Sequence, residues 1–326
     1  MRRPLSQHNG VALITAMLVV ALATVLATAL VSQIFMDTRR TQNILNNDQA
    51  YLYAVSAEKI AGNLLLEDQK KSTYDSIDEI WAAQAPPFPV EGGQVLVSIE
   101  DLQGRFNLNN LSKSLNSAGQ QNALQVFKRL LTQLQIPPTL SDAVVDWLDA
   151  DLETRIPNGA EDDYYMSLAI PYRAANTLIS SPSELRLIKG FNDKVSETET
   201  AYQRIIKFVC ALPAVTDINV NTAPAEVLIS ANANIESADA AKIIAYRGLS
   251  VIEPGTPYKT LVDFKKYMQD TLNKKNVTTT GLAIKTQYFL LQSYAQIGRG
   301  HSRLFSILNR QDNGQINTIS RSQEVW

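Results

Sequence analysis

The sequence predicts an α+β protein in which a long N-terminal membrane helix is followed by a small antiparallel sheet that carries a large inserted α-helical domain. Three observations predict this arrangement. Val11 to Met36 form 26 consecutive positions without a charged side chain. Strand-like alternation occurs near both ends of the remaining chain, and the middle consists of short helical patterns that occur twice.

The uncharged segment is long enough to cross a membrane. As a helix rising about 1.5 Å per residue, these 26 positions reach about 39 Å, against a hydrocarbon core of about 30 Å. Three interpretations remain open: a secretory signal cut near Ala27-Thr28-Ala29, an uncleaved signal anchor, and a leader of the prepilin type that is cut before the apolar run. The basic, polar leader that ends in Gly10, directly before Val11, favours the third.

The membrane helix is expected to continue beyond the bilayer. Apolar residues recur at helical spacing after Met36, and no proline occurs before Pro86, so we expect the helix to extend to about residue 80. The loop charges on the two sides of the span do not decide its orientation. Because 290 residues of mixed composition follow Met36, we expect this larger part to be translocated out of the cytoplasm.

Strands are predicted on both sides of the helical middle. The alternation over Val95 to Ile99, followed by the Gln103-Gly104 turn and Phe106, predicts a β-hairpin. Two further strands are predicted on either side of the turn Gly298-Arg299-Gly300. The helical middle is therefore expected to be an insertion between strands of one sheet.

The helical middle contains an internal duplication. Gly104 to Leu111 is echoed by Asp217 to Ala223, and a capping signature later in each unit begins at Ser181 and at Thr260. We therefore expect two units of short helices, of the helix-hairpin-helix or SAM-like kind.

Modules of the helix-hairpin-helix kind bind DNA backbones, which gives a rival hypothesis for the second unit. Such binding uses glycine-rich backbone close to phosphate, whereas the hairpin Ile229 to Ile235 contains no glycine. Ala223 to Lys275 contains seven basic and six acidic residues, and the whole chain has a formal net charge of −2. We therefore expect a packing module and no nucleic-acid partner.

The first unit contains an acidic loop that the second unit lacks. Asp149 and Ser181 are 32 positions apart, whereas the matching Tyr246 and Thr260 are 14 apart. The 22 residues from 142 to 163 contain eight carboxylates and one basic side chain, Arg155. A hard divalent cation such as calcium would neutralise such a loop, and a solvated acidic loop is the alternative. The spacing does not match an EF-hand, because Thr154 and Ala160 replace the required glycine and glutamate.

Other classes of site are not indicated. Cys210 is the only cysteine, so the chain forms no intramolecular disulfide. His8 and His301, the two histidines, lie in the leader and near a strand turn, which gives neither a histidine ligand set nor a Ser-His-Asp triad. No phosphate-binding glycine loop occurs. We expect no enzymatic activity.

Five motifs stand out along the chain: Gly10–Ala16, Asp146–Asp151, Gly159–Tyr165, Pro182–Leu185 and Asn219–Pro224. They resemble motifs of the protein K family of type II secretion systems, whose members are minor pseudopilins. The resemblance covers nearly the whole chain, and the Asp-Trp and Gly-Ala-Glu-Asp motifs in this order are highly specific. The pilin-like leader motif is shared by many other proteins.

The resemblance implies a pilin-like fold and a defined processing site. A prepilin peptidase would cut after Gly10 and methylate the new amine of Val11. Most pilin-like subunits have phenylalanine and glutamate at mature positions one and five, where this chain has Val11 and Thr15. In the family the glutamate pairs with the amine of a neighbouring subunit, and an unpaired intramembrane carboxylate is costly. A subunit without this glutamate is suited to the tip of a filament.

The resemblance also implies a function and partners. The chain would be a single-pass inner-membrane protein with a periplasmic globular part that initiates and caps the pseudopilus, supporting export of folded proteins across the outer membrane. The implied partners are minor pseudopilins I, J and H, the major pseudopilin, the prepilin peptidase and the inner-membrane assembly platform. The rival hypothesis is a pilin-like DNA-uptake component that uses its helix-hairpin-helix units.

Because family members bind calcium in the helical domain, the resemblance favours Ca²⁺ in the acidic loop. The six candidate ligands are Asp149, Asp151, Glu153, Glu161, Asp162 and Asp163.

We therefore expect seven segments along the chain. The expected segments are the leader (1–10), the membrane-spanning part of the N-terminal helix (11–36), its periplasmic continuation (37–80), the first strands of the sheet (88–110), the first helical unit with the acidic metal-binding loop (111–200), the second helical unit (201–280) and the C-terminal strands (284–326).

Overall fold

The structure is a computed structural model that describes residues 9–112 and 117–323, so most of the predicted leader lies outside the described residues. Its helices are α1 (Asn9–Lys71), α2 (Ser117–Gln133), α3 (Leu140–Leu148), α4 (Asp162–Met166), α5 (Ala201–Ile205), α6 (Ala225–Ala231), α7 (Ser237–Arg247) and α8 (Leu261–Lys266). Its strands are β1 (Phe88–Val90), β2 (Gly93–Asp101), β3 (Phe106–Asn107), β4 (Val209–Cys210), β5 (Ile218–Asn219), β6 (Leu282–Ala283), β7 (Tyr288–Ile297), β8 (Gly300–Arg310) and β9 (Ile316–Gln323).

Helix α1 joins the apolar N-terminal segment to the globular part without a break. Its first half is long and apolar enough to cross a membrane, and every side chain from 11 to 36 is exposed. The helix ends at Lys71, so the predicted continuation to residue 80 is nine residues too long. The Ser72 side chain exchanges hydrogen bonds with the backbone of Tyr74, and this local turn competes with a further helical turn.

Five strands form an antiparallel sheet in the order β1-β2-β7-β8-β9. Since β2 and β7 are neighbours in space, the residues between 101 and 288 are an insertion between adjacent strands. The predicted α+β fold, with a helical domain inserted into a small antiparallel sheet, is therefore confirmed.

Helix α1 packs on one face of this sheet through small side chains. Ala50, Ala54, Ala57 and Ala61 recur at helical spacing, and each is at most 2% exposed. Their size brings the helix backbone close to β7 and β8, as shown by the hydrogen bond from the Ser293 hydroxyl to the Ala54 carbonyl at 3.0 Å.

The sheet has a defined direction relative to the membrane helix. At one end the backbone N–H of His301, just after the β7–β8 turn, donates to the Asn47 side chain at 3.1 Å. At the other end the Arg310 guanidinium donates to the Leu65 carbonyl at 3.4 Å. The inserted helical domain is therefore attached to the end of the sheet that lies farther from the apolar half of α1.

The predicted hairpin between Val95–Ile99 and Phe106 is wrong. Strand β2 pairs with β1 and β7, whereas β3 leaves the sheet and pairs in parallel with β4. The Asp101 carboxylate accepts a hydrogen bond from the Gln103 N–H at 2.7 Å, which stabilises a turn that directs the chain into the helical domain.

The helical domain consists of two units that share the same arrangement of short strands. Each unit begins with a short strand and ends with a strand that pairs with it in parallel, β3 with β4 and β5 with β6. The second unit therefore starts at Ile218 and not at residue 201 as predicted, because α5 precedes β4 within the first unit.

The duplication extends to individual hydrogen bonds. The Asn109 side chain donates a hydrogen bond to the Ile179 carbonyl and accepts one from the Ile179 N–H. The Asn221 side chain makes the same two hydrogen bonds with Tyr258, and all four distances are 2.9 to 3.0 Å. Two residues after each clamped position, Ser181 and Thr260 form the capping boxes expected from the sequence. Each asparagine thus fixes the distant segment that closes its unit.

A buried polar network connects the sheet to the helical domain. The Asp101 carboxylate accepts hydrogen bonds from Asn219, Thr222 and Thr286 at 2.6 to 2.9 Å, and burial raises its pKa to about 6. Next to it, Arg310 donates to Asp75 at 2.5 and 2.6 Å. These contacts join β2, the second unit, β8 and the loop after α1 at one point.

Candidate metal site

Three of the predicted ligands lie together in the first unit. The carboxylate oxygens of Asp149, Asp151 and Glu161 lie within 4.8 Å of one another. Asp149 directly follows the end of α3, and Glu161 directly precedes α4. The two helix ends therefore bring together residues that are twelve positions apart in the sequence.

Asp146 folds the acidic loop over α3. Its buried Oδ2 atom accepts hydrogen bonds from the backbone N–H groups of Arg155 at 3.1 Å and of Ala160 at 2.9 Å. Gly159 is required at this turn, since a Cβ atom there would lie 2.1 Å from the same carboxylate oxygen. The Asp-Trp and Gly-Ala-Glu-Asp motifs thus meet in one structural unit.

The site contains buried carboxylate oxygens that accept no hydrogen bond from the described residues. These are both side-chain oxygens of Glu161 and Oδ1 of Asp146. Burial, followed by the negative charges of Asp146 and Asp149, raises the pKa of Glu161 to about 7. Arg155 offsets these negative charges only in part, because its Nε atom is 3.5 Å from Asp146 and its guanidinium is 4.0 Å from Asp149.

This arrangement fits a divalent metal ion. Leaving ionised oxygens buried and unpartnered is costly, and a cation that prefers oxygen ligands would remove that cost. A bound ion would cross-link the end of α3 to the start of α4 and hold the loop between them in place.

The structure places the other three predicted ligands outside this group. Glu153 and Asp163 have exposed side chains. One carboxylate oxygen of Asp162 accepts a hydrogen bond from the Ala174 N–H at 3.0 Å, and the other is 3.8 Å from Arg173. Asp162 therefore fixes a neighbouring part of the loop.

One polar residue beside the site was missed by sequence reasoning. The Asn176 amide donates to the Asp151 carbonyl at 3.3 Å, and its buried side-chain oxygen accepts no hydrogen bond from residues 9–112 or 117–323. Asn176 is uncharged and lies outside the acidic run, so charge counting does not find it. Its positive φ of 47°, which asparagine tolerates well, is also invisible in the sequence.

Comparisons with known proteins agree with this architecture. Two family models described as type II secretion system (T2SS), protein K match residues 104–214 and 218–285, which correspond to the two helical units. The chain belongs to the protein K family of type II secretion systems. The resemblance inferred from the sequence motifs is confirmed.

Relatives in the protein K family align over nearly the full chain. Type II secretion system protein K of Pseudomonas aeruginosa is 35% identical over 96% of this chain and 92% of the relative, and that of Aeromonas hydrophila is 30% identical over 97% of each. The crystal structure of the GspK-GspI-GspJ complex from enterotoxigenic Escherichia coli contains a chain of the same fold. The TM-score is 0.68 at 21% identity, covering 88% of this chain and 100% of that one.

The protein K assignment leaves the predicted processing site as a prediction. Gly10 lies near the start of α1 as the structure describes it, and the Val11 side chain is 60% exposed. The predicted leader residues 1–8 lie outside the described part of the chain.

In the second unit of this protein K family member, a backbone donor of the predicted hairpin and a nearby arginine both make hydrogen bonds within the fold. The Asn234 N–H donates to the Asn232 side chain at 3.0 Å, so this backbone donor is already used. Arg247 is 3% exposed and donates to the carbonyls of Val220 and Ala223, which makes it a packing residue. These contacts disfavour the DNA-uptake hypothesis.

A second acidic group, formed by Asp68, Asp75 and Glu79, lies at the junction, where Arg310 pairs with Asp68 and Asp75. The Asp75 carboxylate accepts hydrogen bonds from Arg310 and from the Thr286 N–H, and Glu79 accepts from Ser76 and Trp81. These carboxylates therefore have protein donors, unlike Glu161. Burial, followed by the charges of Glu79 and Asp75, raises the pKa of Asp68 to about 7.

The substitution Asp68→Asn should stabilise the protein at alkaline pH. Because the folded pKa of about 7 exceeds the reference value of 3.8, the folded state holds an extra proton between these values, and stability falls as pH rises through this window. We expect a gain in unfolding free energy of about 1–3 kcal/mol at about pH 8 and little difference at about pH 4.

Urea unfolding of the full chain in detergent at both pH values measures this difference. Asp48→Asn, which removes one negative charge at an exposed position of α1, is the control and should shift stability equally at both pH values. An equal effect of Asp68→Asn at both pH values would contradict the assignment.

Proposed function

We propose that this chain is a minor pseudopilin that initiates and caps the tip of the periplasmic pseudopilus, supporting export of folded proteins across the outer membrane. The observation that carries this proposal is the position of the helical domain. It is attached to the end of the sheet farther from the membrane helix, so it would block a further subunit above while leaving α1 free below.

The proposed partners are minor pseudopilins I and J, with H and the major pseudopilin below them, and α1 offers a surface for these contacts. Outside the membrane segment, Ile44, Leu45, Leu52 and Ile60 are 53 to 63% exposed. They lie apart from the alanine face that packs on the sheet. An apolar stripe of this kind favours packing against the N-terminal helix of another subunit.

Thr15 supports a position at the top of the filament. Its hydroxyl donates to the Ala12 carbonyl of the same helix at 3.0 Å, so its polar group is satisfied internally. It offers no carboxylate to the amine of an earlier subunit, whereas the amine of Val11 would remain available to a later one.

The proposed location is the inner membrane, with a single span and the globular part in the periplasm. The apolar half of α1 is the proposed anchor. We also propose that the prepilin peptidase cuts between Gly10 and Val11 and methylates Val11, before the inner-membrane assembly platform adds the subunit to the pseudopilus.

We propose Ca²⁺ as the structural ion of the site formed by Asp149, Asp151 and Glu161. Calcium takes about six to eight oxygen ligands in flexible geometry, which suits a loop that supplies carboxylates from two helix ends. Asp146 and Asn176, which donates to the Asp151 carbonyl, each add a buried side-chain oxygen that accepts no hydrogen bond within the described part of the chain. The ion would act as a cross-link within the first unit.

The processing step can be tested at the N-terminus of the mature chain. Intact-mass and peptide spectrometry should find a methylated Val11 only in cells that contain the prepilin peptidase. Gly10→Leu should prevent cutting, because a small residue before the cut is replaced by a large one. Ala29→Leu, which changes the alternative secretory site, should have no effect. An unprocessed chain or a start at Leu30 would contradict the proposal.

The assembly role can be tested on the exposed stripe of α1. Leu52→Ser with Ile60→Ser should reduce co-purification of pseudopilins I and J at least fivefold, since it removes apolar contact area without changing the core. Asp48→Ser with Lys59→Ser, also exposed on α1, is the matched control. Equal retention of I and J by both variants would contradict the proposed interface.

Calcium binding can be tested by calorimetry on the full chain in detergent. Glu161→Gln should weaken calcium binding at least tenfold, because it removes a buried ligand charge. Asp163→Asn removes one charge from the exposed side of α4 and should leave binding unchanged. At about 100 times Kd, calcium should add about 2.7 kcal/mol to the stability of the wild type. Equal loss in both variants would indicate general electrostatic attraction, and absence of binding would contradict the site.

A further inference from the structure

The segment between α1 and β1 forms a strap over part of the sheet. We use this name for residues 72–84, which follow the end of α1 and precede β1. The carbonyl of Asp75 accepts a hydrogen bond from the Asn219 side chain at 3.0 Å, which fixes the first part of the strap. Trp81 fixes the second part, because its ring packs edge-on against Phe289 with centroids 5.2 Å apart. The strap therefore covers an apolar region of the sheet.

A single carboxylate holds the second part of the strap together. The Oε2 atom of Glu79 accepts hydrogen bonds from the Ser76 N–H at 3.0 Å and from the Trp81 indole N–H at 2.9 Å. The Ala82 N–H donates to the Glu79 carbonyl at 3.0 Å. A displacement of the Glu79 carboxylate would therefore also displace the Trp81 ring.

Asp68, in the last turn of α1, places another carboxylate close to Glu79. One carboxylate oxygen from each of Asp68, Asp75 and Glu79 lies within 4.8 Å of the other two. Arg310 forms ion pairs with two of them, at 3.3 Å from Asp68 and 2.5 Å from Asp75. One guanidinium cannot neutralise three carboxylates. Like charges this close together favour retention of a proton by one of the group.

The surroundings of Asp68 favour its protonated form. Burial, followed by the charges of Glu79 and Asp75, raises its pKa, and burial also raises the pKa of Glu79. The Asp101 carboxylate interacts with Asp75 from β2. No ion pair joins a lysine to Asp68 or Glu79 within residues 9–112 and 117–323. The cleft beside the strap is also lined by five other charged or titratable side chains, Glu67, Lys71, Tyr74, Asp78 and Lys259.

We propose that residues 76–84 of the strap form a pH-sensitive device that stays closed while Asp68 holds a proton and opens more readily once Asp68 is ionised. Ionised Asp68 would repel the Glu79 carboxylate, and opening would let water reach both groups. An open strap would uncover Phe289 and Ile99, which share an apolar cluster with Trp81. None of these contacts depends on the proposed function.

The direction of the pH effect follows from proton linkage at Asp68. In the open strap its carboxylate is solvated and its pKa returns towards 3.8, whereas in the closed strap the pKa is about 7. Between these two values the closed state holds an extra proton. The ratio of closed to open strap should therefore fall about tenfold for each pH unit in this window and stay constant above about pH 7.

Hydrogen exchange of the full chain in lipid nanodiscs measures this ratio. The hydrogen-bonded amides of residues 76–83 exchange only when the strap opens. After correction for the pH dependence of intrinsic exchange, their protection should fall at least tenfold between about pH 5.5 and about pH 7 and change little up to about pH 8. Peptides from β7 and β8 report whether the sheet remains folded.

Asp68→Asn and Glu67→Gln are a matched pair, because each removes one carboxylate at the end of α1. Asp68→Asn should make protection of the strap independent of pH, and as high at about pH 8 as in the wild type at about pH 5.5. Glu67 is 57% exposed and pairs with Lys70, so Glu67→Gln should keep the wild-type pH profile.

Three outcomes would overturn the proposal. The first is protection of the wild-type strap that does not change with pH. The second is a wild-type pH profile in Asp68→Asn, which would assign the effect to another group. The third is equal loss of the pH dependence in both variants, which would indicate a general effect of charge at the end of α1.

Discussion

The position of the helical domain depends on a buried junction of two carboxylates and one guanidinium. Asp101 ends β2 and receives hydrogen bonds from the second unit, while Asp75 holds Arg310 at the end of β8. Removing one partner from such a group leaves a buried charge unpaired, which costs more than the pair itself contributes. The junction therefore fixes the anchor helix, the sheet and the helical domain relative to one another.

The candidate metal site lies where the structure shared by both units meets the longer loop of the first unit. Both units share the asparagine clamp, the capping box and the parallel strand pair. The second unit stays compact, with Arg247 bound to backbone carbonyls of its own unit. In the first unit the end of α3 supplies Asp149, and the longer loop supplies Asp151 and Glu161. A duplicated packing module thus acquires a potential ion site by loop insertion without a change in its core.

Local sequence signals predicted some parts of this structure and not others. The membrane helix, the C-terminal strands and the capping boxes follow from patterns within a few neighbouring residues. The predicted hairpin between Val95–Ile99 and Phe106 was wrong, because alternation of apolar and polar residues predicts a strand but not the strand with which it pairs. The six candidate ligands could not be separated by charge alone, since helix ends, not spacing, bring Asp149 and Glu161 together. No sequence pattern indicated Asn176, because only the folded loop brings it beside the candidate metal site.

Helix α1 has one side packed on the sheet and another side exposed, and this separation has a physical basis. The small alanine side chains of α1 are used against the sheet, which leaves Leu52 and Ile60 on the outside for neighbouring helices. The residues that hold α1 in the fold are therefore different from those that α1 exposes to other proteins.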